Sequence, residues 1–275
     1  MTKLIAVDMD GTFLRDDKSY DEEKFAKIYQ ELEKRNIIFT VASGNQYYQI
    51  TTFFKKFPAA VYVAENGALV RTKEKILALH AFSEENVKKI EDFLLKQAEL
   101  QFLVSGVECA YFPVQFTDAY YEISTKYYYR LKKIRDFSEI DDKVLKFSIS
   151  CPDEKTDYYI RFLKKNLGNY CNVTSSGHGD IDLILPGIHK AHGLAELGKV
   201  LGISLTEMTA FGDGGNDLEM VKEVGDGVAM SNAAPILLKV ANHTTTSNNE
   251  QGVLTYTFSN TYRQILQLYI LNILS

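Results

Sequence analysis

Four short apolar runs, each stopped by a polar residue or glycine, constrain this chain more than any other feature. They are Leu4-Ile5-Ala6-Val7 before Asp8, Ile37-Ile38-Phe39-Thr40-Val41-Ala42 before Ser43, Ala60-Val61-Tyr62-Val63-Ala64 before Glu65, and Met208-Thr209-Ala210-Phe211 before Gly212. Runs that are apolar at nearly every position, rather than at alternate ones, belong to strands buried on both faces, as in a parallel sheet. Between the first two runs Phe25, Ile28 and Leu32 share one face of a polar helical segment, and a second helical stretch passes through Phe53 and Phe54. Strands alternating with helices predict βαβ units, with ligands outside the carboxyl ends of the strands.

From about Ser83 the pattern changes. Val87, Ile90, Phe93 and Leu94 mark a helix, and residues 101–105 and 109–112 lie close enough for a hairpin. A Tyr-rich helical stretch follows, then a strand over 144–150, a helix over 158–167, and two strands near 170–174 and 182–185. After Pro186-Gly187 the βα rhythm returns. A helix starts at Lys190, a strand ends at Phe211, a helix follows Asp217, a strand covers 227–230, and terminal helices close the chain. The last of these is an amphipathic run from Tyr262 to Leu274. The expected organisation is an α/β core made of residues 1–81 and 187–275, split by an inserted α+β domain at 82–186. Two units suit a chain of 275 residues.

The formal charge of −5 gives no reason to expect nucleic acid or an anionic membrane as partner. Basic residues are scattered, and Lys132-Lys133 with Arg135 reads as a solvated face. Cys109, Cys151 and Cys171 form no CxxC pair and suggest reduced thiols. The apolar start is too short for a signal peptide, and no segment approaches the ~20 apolar residues of a membrane span. A cytoplasmic protein is expected.

The residues at the strand ends carry the chemistry. Asp8-Met9-Asp10-Gly11-Thr12 puts carboxylates at i and i+2, where like charges are costly unless a cation binds or one acid is protonated. Phe211-Gly212-Asp213-Gly214-Gly215-Asn216-Asp217 adds two acids and flexible glycines, and hard oxygen ligands suit Mg²⁺ better than zinc or copper. Ser43-Gly44 offers a hydroxyl and a backbone N–H to a phosphate oxygen. Lys190 opens a helix, where a cation is poorly placed for the macrodipole, which hints at a nearby ligand charge. Taken singly, each has a plainer reading as an acidic turn, an N-cap or a routine strand-to-helix turn.

In this order and position the four pieces resemble the haloacid dehalogenase superfamily, and within it the Cof-type phosphatases with a large α/β cap between the second and third motifs. Glu65-Asn66-Gly67-Ala68 is similar to the Asn-Gly-Ala signature of that subgroup. The resemblance covers essentially the whole chain and implies a Rossmann-like parallel-sheet core with an inserted α+β cap. It implies a Mg²⁺-dependent phosphatase acting on a small soluble phosphomonoester, such as a sugar phosphate or related metabolite. Asp8 would be the nucleophile, and Asp10 the acid that protonates the leaving oxygen and later activates water. Mg²⁺ would bind the Asp8 carboxylate, the Asp10 backbone carbonyl and Asp213. Ser43, the Gly44 and Met9 amides, Lys190 and Asn216 would hold phosphate oxygens, with Asp217 orienting Lys190 or a metal-bound water.

Two positions depart from the family pattern. Asn45 stands where many relatives carry Arg and cannot offer a charged bidentate fork. Ala191 follows Lys190 where Gly is usual, with Gly193 two residues on. His178, His189 and His192 read as surface histidines. Rival functions are a phosphosugar mutase of the same superfamily and a non-catalytic ligand-binding relative, although the latter would be expected to lose a charged site residue. Recognition of the substrate beyond its phosphate is expected from cap loops such as Gly177-His178-Gly179-Asp180.

Overall fold

The computed structural model describes residues 2–177 and 179–259, so His178 and the Tyr262–Leu274 run lie outside the described residues. The chain begins with β1 (Leu4–Val7), α1 (Glu22–Lys34), β2 (Ile38–Ala42), α2 (Tyr47–Ile50) and β3 (Val61–Ala64). Two further strands, β4 (Leu69–Arg71) and β5 (Ile76–Leu79), follow before α3 (Glu84–Leu94). Next come β6 (Gln101–Gly106), β7 (Ala110–Pro113), α4 (Asp118–Ser124), β8 (Leu131–Ile134), β9 (Val144–Ser150), α5 (Thr156–Leu167), β10 (Asn172–Gly177) and β11 (Asp180–Ile184). The last part holds α6 (Lys190–Leu201), β12 (Met208–Gly212), α7 (Leu218–Glu223), β13 (Asp226–Met230), α8 (Pro235–Val240) and β14 (His243–Thr245).

These strands form two sheets. The larger runs β14-β13-β12-β1-β2-β3-β4-β5. It is parallel from β14 through β3 and antiparallel from β3 to β5, so the expected parallel core carries a mixed edge. The smaller runs β10-β11-β9-β6-β7-β8 and draws only on residues between 101 and 184. The hairpin expected near 101–112 is β6 paired antiparallel to β7. Four strands of three or four residues, β4, β5, β8 and β14, have no counterpart in the sequence reading, and β14 occupies the stretch read as part of the terminal helices.

β1 shows why an unbroken apolar run is needed. Its alternate residues Leu4 and Ala6 pack against Ala191, Leu194 and Leu197 of α6 on one face. Ile5 and Val7 face the opposite layer with α1. That layer is an aromatic cluster in which Phe25 lies 4.7–5.8 Å, centroid to centroid, from Phe57, Phe39, Phe13 and Phe54. Its helix starts on Asp21, whose side chain accepts from Lys24 N at 2.9 Å, with Glu22 and Glu23 favourably placed in the first turn. A second core, containing Phe102, Phe147, Ile149, Leu163 and Leu183, fills the smaller sheet and α5.

Candidate active site

The parallel register brings the strand-end loops to one level. Val7 pairs with both Phe211 and Val41, and Ala42 with Val63. Asp8, Gly212-Asp213, Ser43 and Glu65 therefore leave the sheet side by side. Gly67 lets α6 dock there. Its φ is +99°, and an added Cβ would sit 2.2 Å from the His189 carbonyl oxygen. Gly193 admits the same approach, since its Cβ would meet Val63 at 2.5 Å, while Ala191 is buried among the core aliphatics. The close glycine contact is thus made at 193 rather than 191.

Lys190, fully buried, is the centre of the arrangement. Its Nζ donates to Asp8 Oδ1 at 2.5 Å and to Asp217 Oδ1 at 2.6 Å. Burial disfavours the ammonium, but Asp217 and then Asp8 outweigh it and hold the lysine pKa above its ordinary value. Asp217 is also saturated on its other oxygen, which accepts from Asp213 N and Gly214 N, both at 3.0 Å. Asp213 Oδ1 accepts from Thr12 at 2.7 Å. Burial, and next the Asp217 charge, push Asp213 up to about 6, and the same two causes raise Asp8 well above the usual carboxylate range. Asp8, Asp213 and Asp217 present oxygens within 4.8 Å of one another. Three carboxylates face one ammonium among the described contacts, so the cluster has an unbalanced negative charge that a hard cation would neutralise.

The other expected residues fall around this cluster. Asp10 keeps its carboxylate outside the three-acid cluster, accepting from Asn45 Nδ2 at 2.7 Å and Lys18 Nζ at 2.8 Å. Met9 is buried in the aromatic layer, and the Ser43 hydroxyl accepts from Asn45 N at 3.1 Å. Asn216 donates to Asn66 Oδ1 at 3.1 Å. His189 caps α6, its Nδ1 accepting from His192 N. His192 is not a surface histidine as expected. Its ring lies 5.0 Å from that of His80, its Nε2 is sheltered, and burial lowers its pKa.

A family model described as haloacid dehalogenase-like hydrolase matches residues 5–256. The chain belongs to this family. It is a phosphatase of the Cof type. The 5-amino-6-(5-phospho-D-ribitylamino)uracil phosphatase YbjI of Escherichia coli (strain K12) is 39% identical over 253 residues, 92% of this chain and 93% of the relative. The phosphatase YcsE of Bacillus subtilis (strain 168), named for the same compound, is 26% identical over 257 residues, 91% of this chain and 92% of its own. The crystal structure of SMU.1108c from Streptococcus mutans UA159 superposes with a TM-score of 0.88 at 31% identity, covering 94% of this chain and 99% of that one. No described helix of the hydrolase is long and apolar enough to cross a membrane.

Against the strand-end loops of this hydrolase lies a polar patch of the smaller sheet. Lys146 and Ser148 are two apart on β9, and their cross-strand partners include Ser105 on β6 and Asp182 on β11. Lys146 Nζ donates to the Gly44 carbonyl at 2.7 Å and to Asp182 at 3.1 Å, and lies 3.6 Å from Glu65. Asp182 also accepts from Asn66 at 2.9 Å and Ser148 at 2.6 Å. Ser105 donates to Glu65 at 3.0 Å, and Gln46 exchanges two hydrogen bonds with the backbone of Arg130. The sequence reading gave no role to Gln46, Ser105, Lys146, Ser148 or Asp182. The strict alternation in Leu145-Lys146-Phe147-Ser148-Ile149-Ser150 was the available signal, since one polar face on a strand needs a polar partner.

Proposed function

We propose that this phosphatase hydrolyses a small phosphomonoester in a Mg²⁺-dependent reaction through a phospho-aspartyl intermediate on Asp8. The observation that carries the reading is the Asp8–Lys190–Asp217 chain at the sheet's carboxyl edge with Asp213 beside it. The all-oxygen donors fit Mg²⁺. Asp8 and Asp213 would hold the ion with the Asp10 backbone carbonyl, while Asp217, whose oxygens already serve Lys190 and two amides, would set the lysine rather than the metal. When bound, the ion supplies neutralisation of charge on the transferring phosphoryl group.

An Asp8 carboxylate oxygen forms a bond to phosphorus as the bond from phosphorus to the leaving oxygen breaks. Asp10 gives its proton to that oxygen. It then takes a proton from water, whose oxygen attacks the same phosphorus and releases Asp8 and inorganic phosphate. Lys190, the Ser43 hydroxyl, the Met9 and Gly44 amides and Asn216 would hold the phosphate oxygens. For Asn216 this means exchanging its bond to Asn66 for one to the phosphate.

Three relatives, YbjI and YcsE among them, are named for a phosphate carried on a ribityl chain. We assign this enzyme a substrate of that kind, a phosphate ester of a sugar or polyol, with residues 82–186 acting as the cap that reads the part beyond the phosphate. The free cysteines 109, 151 and 171 suit a reducing cytoplasm. Asp8→Asn is the decisive variant, because the amide preserves the shape of the site but forms no acyl phosphate. Turnover should vanish with circular dichroism unchanged. A tenth of the wild-type rate or more, a barrier change of only about 1.4 kcal/mol, would overturn the mechanism.

A further inference from the structure

Asp10 is gripped by two side chains that none of the four loop assignments uses. Asn45 Nδ2 holds Oδ2 at 2.7 Å, and Lys18 Nζ holds Oδ1 at 2.8 Å. Asn45 directly follows Ser43-Gly44, so its side chain is fixed by the same turn that would carry the phosphate. Lys18 comes from a tight reversal in which Arg15 N donates to the Ser19 carbonyl and Lys18 N to the Arg15 carbonyl, both at 2.9 Å. The lysine sits at φ 63°, a left-handed conformation that non-glycine residues seldom adopt. Its side chain is half exposed, and an ion pair of that kind contributes little to folding. The consequence of the pair is local. One donor on each oxygen fixes the plane of the Asp10 carboxyl group and leaves each oxygen a further lone-pair direction.

We infer that Lys18 and Asn45 are positioning residues for proton transfer by Asp10, holding its carboxyl group in the orientation from which it protonates the leaving oxygen. The inference rests on Asp10 as the acid. An acid on a loop end, freed from both donors, would spread over several rotamers, and misplacement of a reacting group is costly in rate. The loss should then grow with the basicity of the leaving group, since a weakly basic one departs without a proton.

The test compares kcat/KM for 4-nitrophenyl phosphate, which has a weakly basic leaving group, with that for phenyl phosphate, similar in shape with a far more basic one. Asp10→Asn serves as reference and should lose much more on phenyl phosphate. Lys18→Gln and Asn45→Ala should each lose roughly tenfold more on phenyl phosphate than on 4-nitrophenyl phosphate, a fraction of the 10²–10⁴ typical of a general acid. Lys18→Arg, which keeps a charged donor, should recover most of the difference. Equal losses on both substrates would overturn the inference and make these residues part of phosphate binding or of the fold. Unchanged values for both variants would overturn it as well. If Asp10→Asn itself shows no dependence on the leaving group, the acid assignment falls and the inference with it. A dependent Asp10→Asn beside independent Lys18 and Asn45 variants removes the inference alone.

Discussion

Glu65→Gln isolates the electrostatic cost of closing the two sheets over one another. Glu65 is 1% exposed, accepts from Ser105 on one oxygen and, among the described residues, has no hydrogen bond on the other. Lys146 is the nearby cation, but it sits 3.6 Å from Glu65 against 3.1 Å from Asp182, so its charge is largely taken. Burial therefore dominates and raises the Glu65 pKa from 4.5 to about 7. A raised carboxyl pKa means the native state holds the proton more tightly than the unfolded chain. The favourable contribution is complete below pH 4.5 and is lost as pH rises to about 7. At 1.36 kcal/mol per pH unit the loss is about 3 kcal/mol. Glutamine can keep the Ser105 contact and turn its carbonyl to Lys146 without titrating. Urea unfolding of wild type and variant at pH 4.5 and pH 8 removes the contribution of all other groups by subtraction. The wild type should fall by about 3 kcal/mol relative to Glu65→Gln between these values. Parallel curves would show that Lys146 compensates Glu65 fully and that burial does not govern it.

Three further outcomes are expected. Activity should disappear with chelator and return with Mg²⁺, and Asp213→Ala should weaken metal affinity in a direct titration while leaving secondary structure unchanged. Gly11→Ala should cost activity out of proportion to melting temperature, because at φ +77° its Cβ would lie 2.3 Å from Asp213 Oδ2 and displace that carboxylate. Phe25→Ala, in the centre of the aromatic layer, should destabilise by about 3–5 kcal/mol in denaturant unfolding.

The core strands and the loops at their ends were legible because burial on both faces writes an unbroken apolar run followed by an abrupt polar stop. β8, Leu131-Lys132-Lys133-Ile134, fails that test, since its middle residues face solvent and its four residues show barely one alternation. β4, β5 and β14 are edge or near-edge strands of similar length, and they form because a neighbouring strand is already in place. Asp8, Lys190 and Asp213 were singled out through their positions, but Asn45 was read only as a missing arginine. Its bond to Asp10 joins residues 35 apart, and that of Asn66 to Asp182 joins residues 116 apart. No local periodicity encodes such pairs. His192 looked like an ordinary helix-start histidine because its neighbour His80 directly follows β5, a strand the sequence did not announce.

The contacts between the two sheets also decide what an exchange of parts between relatives would require. Lys146 on Gly44 and Gln46 on Arg130 end on main-chain atoms, which are indifferent to the side chain at positions 44 and 130. Asn66 with Asp182 and Ser105 with Glu65 are read by side chains at both ends. A chimera that receives residues 82–186 from a relative keeps the backbone-directed contact from Gln46 with almost any donor, but keeps the other pair only when the donor matches Glu65 and Asn66. The smallest transplantable module is therefore discontinuous, made of that stretch together with two positions of the turn that follows β3.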